Sequence, residues 1–330
     1  MPSPMSTALK YTKPAWLLAS LAGAGSLGLL TQCSSSSAGD APGGPVATKA
    51  EVESPDAGSR DGGTSNAGES NRIPCDADAQ ADAHACPGAS TVACCGGFCV
   101  DTAADPRNCG GCGVSCTDHQ FCTGVHCDEA VIANVCGNPS ATVVLDQYEA
   151  DNEGGAAIGA ALLANCVPPP NVVQRNEDAG GVTDPATGRP ITGVGNTFVN
   201  GGGSWGHPSI GYLDMMQLTP LYSSVMGDQY YVVERSTGKN ILSTTFESLT
   251  AQHDYFYVEL AVEPVSGTLS FSGVGMLAPG TMAAGYYLGA EIVPNRANYP
   301  NAWYLFEWTD TNGDSIPNAA DSFVEMTSGM

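Results

Sequence analysis

The sequence predicts a small disulfide-rich module followed by an α/β layered sandwich domain with a mixed sheet. Three observations carry this. Ten cysteines crowd residues 75–127, where large apolar side chains are too few to build a core and covalent staples must replace one. From about residue 141 the cysteines stop, Cys166 excepted, and alternating apolar patterns begin. In that second part strand patterns alternate with helical ones around a single antiparallel hairpin, which is the mark of layered α/β architecture.

Within the second part, 142–147 reads as a strand and 154–166, rich in Ala, Leu and Ile, as a helix. The Pro- and Gly-punctuated stretch 168–195 reads as irregular. A strand at 197–200 runs into Gly201-Gly202-Gly203 and a helix at 209–217, and 230–234 is strand-like again. Segments 254–262 and 268–276 flank Glu263-Pro264-Val265-Ser266-Gly267 as a hairpin with a five-residue turn. An Ala-rich helix opened by Pro279 follows over 279–292, and strands at 302–309 and 322–326 close the chain.

The 330 residues carry 34 acidic and 11 basic side chains, a formal net charge of -23. After residue 33 the remaining lysines are Lys49 and Lys239, so no basic stripe for nucleic acid can be assembled. Residues 1–33 hold no acidic side chain; Lys10 and Lys13 precede an apolar run from Trp16 to Leu30, the order of an export signal and too short to span a bilayer. Residues 34–74 are Ser, Gly, Ala, Asp, Glu and Pro with almost no large apolar residue, a disordered tether that would set the folded part roughly 35 Å from its start.

The run ends in Leu30-Thr31-Gln32-Cys33, which resembles the lipobox of bacterial lipoproteins. The resemblance implies lipidation at Cys33 and anchoring in the outer membrane or at the cell surface, with Gln32 standing where a small residue is usual. Cleavage near Ala38 is the alternative; it would discard Cys33 and release a soluble secreted protein.

Cysteine spacing in the module, 75–136, resembles that of the stigma-specific protein family. The run Cys94-Cys95-Gly96-Gly97-Phe98-Cys99-Val100-Asp101 and the later Asn108-Cys109-Gly110-Gly111-Cys112-Gly113-Val114-Ser115-Cys116 carry it. It implies a secreted interaction module without catalytic residues. Cys75, Cys86, Cys94, Cys95, Cys99, Cys109, Cys112, Cys116, Cys122 and Cys127 pair among themselves on this reading, leaving Cys136 to bridge to Cys166 in the domain at 137–330. Cys109-x-x-Cys112 with His119 or His126 also reads as half a zinc site, but exported thiols oxidise to disulfides first.

Asp310-Thr311-Asn312-Gly313-Asp314-Ser315-Ile316-Pro317-Asn318 and Asp321 space their oxygens as a short loop around a hard cation does. Asp310, Asn312, Asp314, Asn318 and Asp321 offer side chains and Ile316 its carbonyl to Ca2+. The loop resembles the calcium repeats of thrombospondin type 3 and dockerin modules, with Ser315 where Gly is usual. Gly201–Gly203, Asp254-Tyr255-Phe256 and Gly280-Thr281-Met282-Ala283-Ala284 resemble archaeal surface-layer α/β domains, which implies a structural envelope role.

Gly202-Gly203-Ser204-Trp205-Gly206 spells the G-x-S-x-G of a nucleophile elbow, and Asp228 and His253 follow in hydrolase order. With 41 glycines in the chain such a match arises readily by chance, and only one clear strand precedes it. Gly201, Gly203 and Gly206 also spell G-x-G-x-x-G, without a suitable ribose-binding acid downstream. The sequence therefore leads to a non-enzymatic envelope lipoprotein, structural or binding a protein or glycan, with an exported serine hydrolase using Ser204, Asp228 and His253 as the alternative.

Overall fold

Gly96 and Gly97 take φ of 61° and 86°, the left-handed pair that a two-residue hairpin turn demands. They join β1 (Val92–Cys95) to β2 (Phe98–Asp101), with Cys95 opposite Phe98. A second hairpin follows, β3 (Gln120–Cys122) with β4 (Cys127–Glu129). The computed structural model describes residues 73–75, 86, 90–117, 119–177, 180–203 and 206–330; the export signal, Cys33, the tether as far as residue 72, and Ser204 and Trp205 lie outside them.

Disulfides Cys75–Cys94, Cys86–Cys99, Cys95–Cys112, Cys109–Cys122 and Cys116–Cys127 staple these short hairpins, and Cys136–Cys166 ties the chain that leaves them to the next domain. Such a set belongs to a protein that matures in an oxidising compartment. The second hairpin is also held by packing. Phe121, Ile132 and Val135 are buried in the same apolar cluster as Val143 and Ile158 of the following domain. The Ile132 and Ala133 N–H groups donate to the carbonyls of Asn301 and Tyr299, each at 3.0 Å.

The C-terminal part is mostly sheet. Its elements in order are β5 (Ser140–Leu145), α1 (Glu149–Asn165), β6 (Asn171–Asn176), β7 (Asn196–Gly201), α2 (Pro208–Met215), β8 (Leu221–Met226), β9 (Gln229–Glu234), β10 (Lys239–Thr245), β11 (His253–Glu263), β12 (Thr268–Gly275), α3 (Ala278–Tyr287), β13 (Trp303–Thr309) and β14 (Ser322–Gly329). Seven strands form one mixed sheet in the order β14-β13-β11-β12-β7-β5-β6, parallel from β12 to β6 and antiparallel elsewhere. The strands β10-β9-β8 form a separate antiparallel sheet.

Alternation along the strands assigns the faces. Phe256, Val258 and Leu260 of β11 and Tyr304, Phe306 and Trp308 of β13 share a cluster with Ile158 and Leu162 of α1 and Ala283 and Ala284 of α3. The residues between them, Tyr257, Trp303 and Leu305, pack instead on Leu221, Val232 and Leu242 of the small sheet. Helices α1 and α3 thus cover one face; the three-stranded sheet covers part of the other, where Ile210 and Leu213 of α2 also pack on Ala261. No helix among the described residues is long and apolar enough to cross a membrane.

Three expectations shift. The stretch 168–195 is not wholly irregular, since Asn171–Asn176 pairs parallel to β5 at the sheet edge. The strands β8 and β10 had no clear signal in the sequence. The helix expected over 279–292 is α-helical to Tyr287 and continues as a π turn over Leu288–Ile292.

Candidate functional site

Strand β5 is followed by α1 and then by β6 on one side, whereas β7 lies on its other side. Chain direction across the sheet therefore reverses between β5 and β7, the switch point at which open parallel sheets leave a crevice beyond their carboxyl ends. Four titratable residues meet there. Asp146 follows β5, Asp151 stands in the first turn of α1, Glu177 follows β6, and His207 ends the glycine loop after β7.

Local hydrogen bonds fix each of them. The Asp146 N–H donates to Asn152 Oδ1 at 2.8 Å and Asn152 Nδ2 donates to the Asp146 carbonyl at 3.1 Å, which locks the turn from β5 into α1. Asp146 Oδ1 accepts from the Tyr148 N–H at 2.6 Å. Glu177 extends the β6 ladder by donating its N–H to the Leu145 carbonyl at 3.0 Å. Its Oε1 accepts from the Ser209 N–H at 2.7 Å, where α2 begins without a side-chain cap of its own, and its Oε2 lies 3.0 Å from His207 Nδ1. Both Glu177 oxygens are used, and the imidazole is held with Nδ1–H toward the carboxylate.

The other ring nitrogen faces the two aspartates. His207 Nε2 lies 3.9 Å from Asp146 Oδ2, too far for a hydrogen bond, and with both carboxylates ionised neither atom has a hydrogen-bond partner. The His207 side chain is 0 % exposed and that of Asp146 3 %. Burial, then repulsion by Asp146, pushes the Asp151 carboxyl up to about 7. Burial by itself would lower the His207 pKa, but the Glu177 hydrogen bond and the surrounding carboxylates outweigh it and raise it.

The glycine loop is what admits this cluster. A Cβ on Gly206 would stand 2.2 Å from Asp146 Oδ2 and 2.7 Å from Asp151 Oδ2, and one on Gly202, at φ 141°, would stand 2.2 Å from Asp151 Oδ2. Beside the cluster a cavity of about 300 Å³ is lined by Tyr148, Asp151, Gly206, Ser223, Tyr230 and Thr281, among others. A larger cavity of about 590 Å³ lies elsewhere, between His119 and Ala130 of the hairpin region and Tyr222 and Arg235. Its cation is already engaged: Arg235 bonds Asp214 Oδ1 at 3.1 Å and Thr219 Oγ1 at 3.2 Å, and stacks 4.6 Å over Tyr222. The smaller cavity, with uncompensated buried polar atoms at its edge, is the better candidate.

The hydrolase residues are placed differently. Ser204 falls outside the described residues. Asp228 occupies the turn between β8 and β9, while the His253 ring is held by the Ser248 carbonyl at 3.1 Å and Glu307 at 2.8 Å. Both imidazole nitrogens thus have partners other than Asp228. Cys109 and Cys112 are in disulfides to Cys122 and Cys95 and offer no thiolate.

In the loop 310–321, Asp310 Oδ1 accepts from the N–H groups of Asn312 at 3.1 Å and Gly313 at 2.7 Å, and its Oδ2 from Ser315 at 2.7 Å. Asn312 and Asn318 both donate side-chain N–H to Asp314, and Asn318 also to the Ile316 carbonyl. Asp321 Oδ2 accepts from Trp308 Nε1 at 3.2 Å and the Asn318 N–H at 3.0 Å. The expected oxygen donors therefore share one loop, but Asp310, Asp314 and Asp321 do not gather as a group with ligand atoms within 4.8 Å of one another, as Asp146, Asp151 and His207 do.

Sequence reasoning passed over Asp146, Asp151, Glu177 and His207. The available signal was positional: acidic residues just beyond candidate parallel strands, and a glycine run ending in His207. No family model matches the chain, and no curated protein or solved structure matches it.

Proposed function

We propose that the protein is an exported, non-enzymatic cell-envelope lipoprotein, anchored through Cys33 and the tether at 34–74, that binds a glycan in the crevice at the carboxyl ends of β5 and β7. The observation that carries this reading is the cavity beside Asp151. Tyr148 and Tyr230 line it together with Asp151 and the hydroxyl residues Ser223 and Thr281. Tyr230 is set against Phe246, with ring centroids 4.6 Å apart. Aromatic faces beside a few polar groups suit a sugar, whose rings present C–H faces and a rim of hydroxyls. Calcium in the loop 310–321 and a layered α/β sandwich as scaffold belong to the same reading.

Binding of the purified protein to a panel of immobilised envelope and extracellular glycans tests it. Retention of one glycan class by the wild type, lost in Tyr230→Ala, is the expected outcome. No retention across the panel would reject the glycan, and conversion of a retained glycan to shorter products would reject the non-enzymatic assignment. Membrane fractionation tests the anchor, since Cys33→Ser should move the protein to the soluble fraction.

A further inference from the structure

We propose that Asp146, Asp151 and His207 form a binding site for one divalent transition-metal ion of the zinc or manganese class, with Glu177 as the residue that orients the imidazole. This deepens the reading of the crevice as a ligand site, because the ion would face the cavity beside Asp151, but its test requires no glycan.

The ligand atoms of the three residues lie within 4.8 Å of one another, a span that a single ion at ordinary bond lengths of about 2.0 to 2.2 Å can bridge. More decisive is what surrounds them. With Nδ1–H committed to Glu177 at 3.0 Å, a neutral His207 directs its Nε2 lone pair at the Asp146 carboxylate. With both aspartates ionised, two electron-rich groups then face each other, buried, with no hydrogen-bond donor between them; a proton on Asp151 can serve Asp146 but leaves His207 Nε2 without a partner. A proton on Nε2 would give an ion pair with Asp146, but at 3.9 Å no hydrogen bond, so the nitrogen still lacks a directional partner. A cation between the ring and the carboxylates satisfies all three at once.

The arrangement matches metal chemistry in its outer contacts as well. A carboxylate on the far nitrogen of a metal-bound imidazole fixes its tautomer and raises its basicity, and Glu177 stands there, itself pinned by the Ser209 N–H at 2.7 Å. One imidazole nitrogen with two carboxylates favours a borderline transition ion over calcium or magnesium, which prefer all-oxygen shells. Three protein ligands leave a position open toward the cavity, where ligand hydroxyls or solvent can complete the shell. Gly206 is the gatekeeper: it has no Cβ to fill the space where the two aspartate oxygens converge.

The test is titration of the chelator-treated, disulfide-intact protein with Co2+, followed by its visible d–d absorption, and with Zn2+ by calorimetry. One ion per chain is expected. Asp151→Asn and Gly206→Ala should abolish saturable binding, and Glu177→Gln should weaken it roughly 10- to 100-fold. His207→Ala can fail to fold, so Asp151→Asn and Gly206→Ala, checked for native circular dichroism, decide the matter. His126→Gln, which removes an exposed imidazole 3.0 Å from Asp128, should leave binding unchanged. Absence of stoichiometric binding in the wild type, wild-type affinity in folded Asp151→Asn and Gly206→Ala, or loss of binding in His126→Gln would overturn the site. Metal binding without glycan retention would uphold the ion and reject the glycan; glycan retention without metal binding would do the reverse.

Discussion

Asp254 caps a helix that begins at Gly280's turn: its Oδ2 accepts from the Leu277 N–H at 3.0 Å and from the Gly280 N–H at 2.8 Å. Leu277 precedes α3 and has no side chain able to cap it, so the orphan donors of the first turn are met from strand β11 instead. A Cβ at Gly280 would stand 2.6 Å from the same oxygen. Oδ1 accepts from the Tyr255 N–H at 2.7 Å. One buried carboxyl thus couples the central strand to the helix layer.

This carboxyl should give the fold a measurable pH dependence. Burial pushes the Asp254 pKa from 3.8 up to about 7, even against the N–H groups of Tyr255, Gly280 and Leu277, which favour the charged form. The titratable groups facing it are His253 and Tyr255 on its own strand and Tyr230 from β9. Because the folded pKa lies above the unfolded one, its contribution is complete below 3.8 and is lost as pH rises through about 7. The shift corresponds to at most on the order of 4 kcal/mol. The melting temperature should fall as pH rises from about 4 to about 7 and level off above that, and Asp254→Asn should flatten part of that fall. An unchanged pH slope in Asp254→Asn would remove Asp254 as its source.

Helices α1 and α3 meet through glycine. A Cβ on Gly285 would come within 2.5 Å of the Gly154 Cα and 3.0 Å of its carbonyl oxygen, and both contacts are backbone that cannot swing aside. Gly285→Ala must push the helices apart and is expected to destabilise the domain by about 1 to 3 kcal/mol, the range for overpacking a tight core. Urea unfolding would measure it. A midpoint equal to wild type would show that the helices separate without cost.

The strands that could be read in the sequence are those whose two faces are chemically distinct or jointly buried. β11 was legible because Phe256, Tyr257, Val258, Leu260 and Ala261 make a run of buried apolar residues between turn signals, interrupted only by Glu259. β6 was not, because at the sheet edge Asn171, Gln174, Arg175 and Asn176 remain largely solvent-facing and only Val172 and Val173 mark the strand. The acidic cluster was invisible for another reason. Asp146, Glu177 and His207 each look like a loop residue following a strand, and only the placement of β6 and β7 on opposite sides of β5 brings them together.

The Cys136–Cys166 bridge closes a loop with a sequence separation of 30 residues that contains β5 and α1. Replacing both cysteines by serine frees this loop in the unfolded chain and should cost about 3 kcal/mol. Non-reducing peptide mapping should recover the cross-linked pair from the wild type. A free Cys166 thiol in the purified protein would contradict the bridge.

The loop 310–321 ties β13 to β14, and the calcium proposed there should act on that corner alone. The side-chain N–H groups of Asn312 and Asn318 both donate to Asp314 Oδ2, at 3.0 Å and 3.2 Å. Calcium accepts only oxygen, so both amides must turn their carbonyl oxygens inward when it binds. Asp310 need not move far, since the Ser315, Gly313 and Asn312 N–H groups already pin it, and the Asp310 N–H is itself bonded to the Gln252 carbonyl at 2.8 Å. Desolvation raises the Asp310 pKa, but those N–H groups outweigh it and hold the carboxyl below its ordinary range, ionised for a cation. An ion that binds only the folded chain stabilises it by mass action, by about 2.7 kcal/mol at a hundredfold excess over its dissociation constant. Calcium should therefore raise the melting temperature, and a chelator should reverse the rise. Trp308 reports the event directly, because its Nε1 donates to Asp321 Oδ2 at 3.2 Å and its ring is 0 % exposed; drawing Asp321 toward an ion changes that hydrogen bond and with it the emission. Asp314→Ala removes the carboxylate on which both amides converge, and it should abolish the thermal and fluorescence responses together while the Cys136–Cys166 cross-link still forms. Melting that ignores calcium, with Trp308 emission unchanged, would show that the amide donors alone suffice to hold the loop closed.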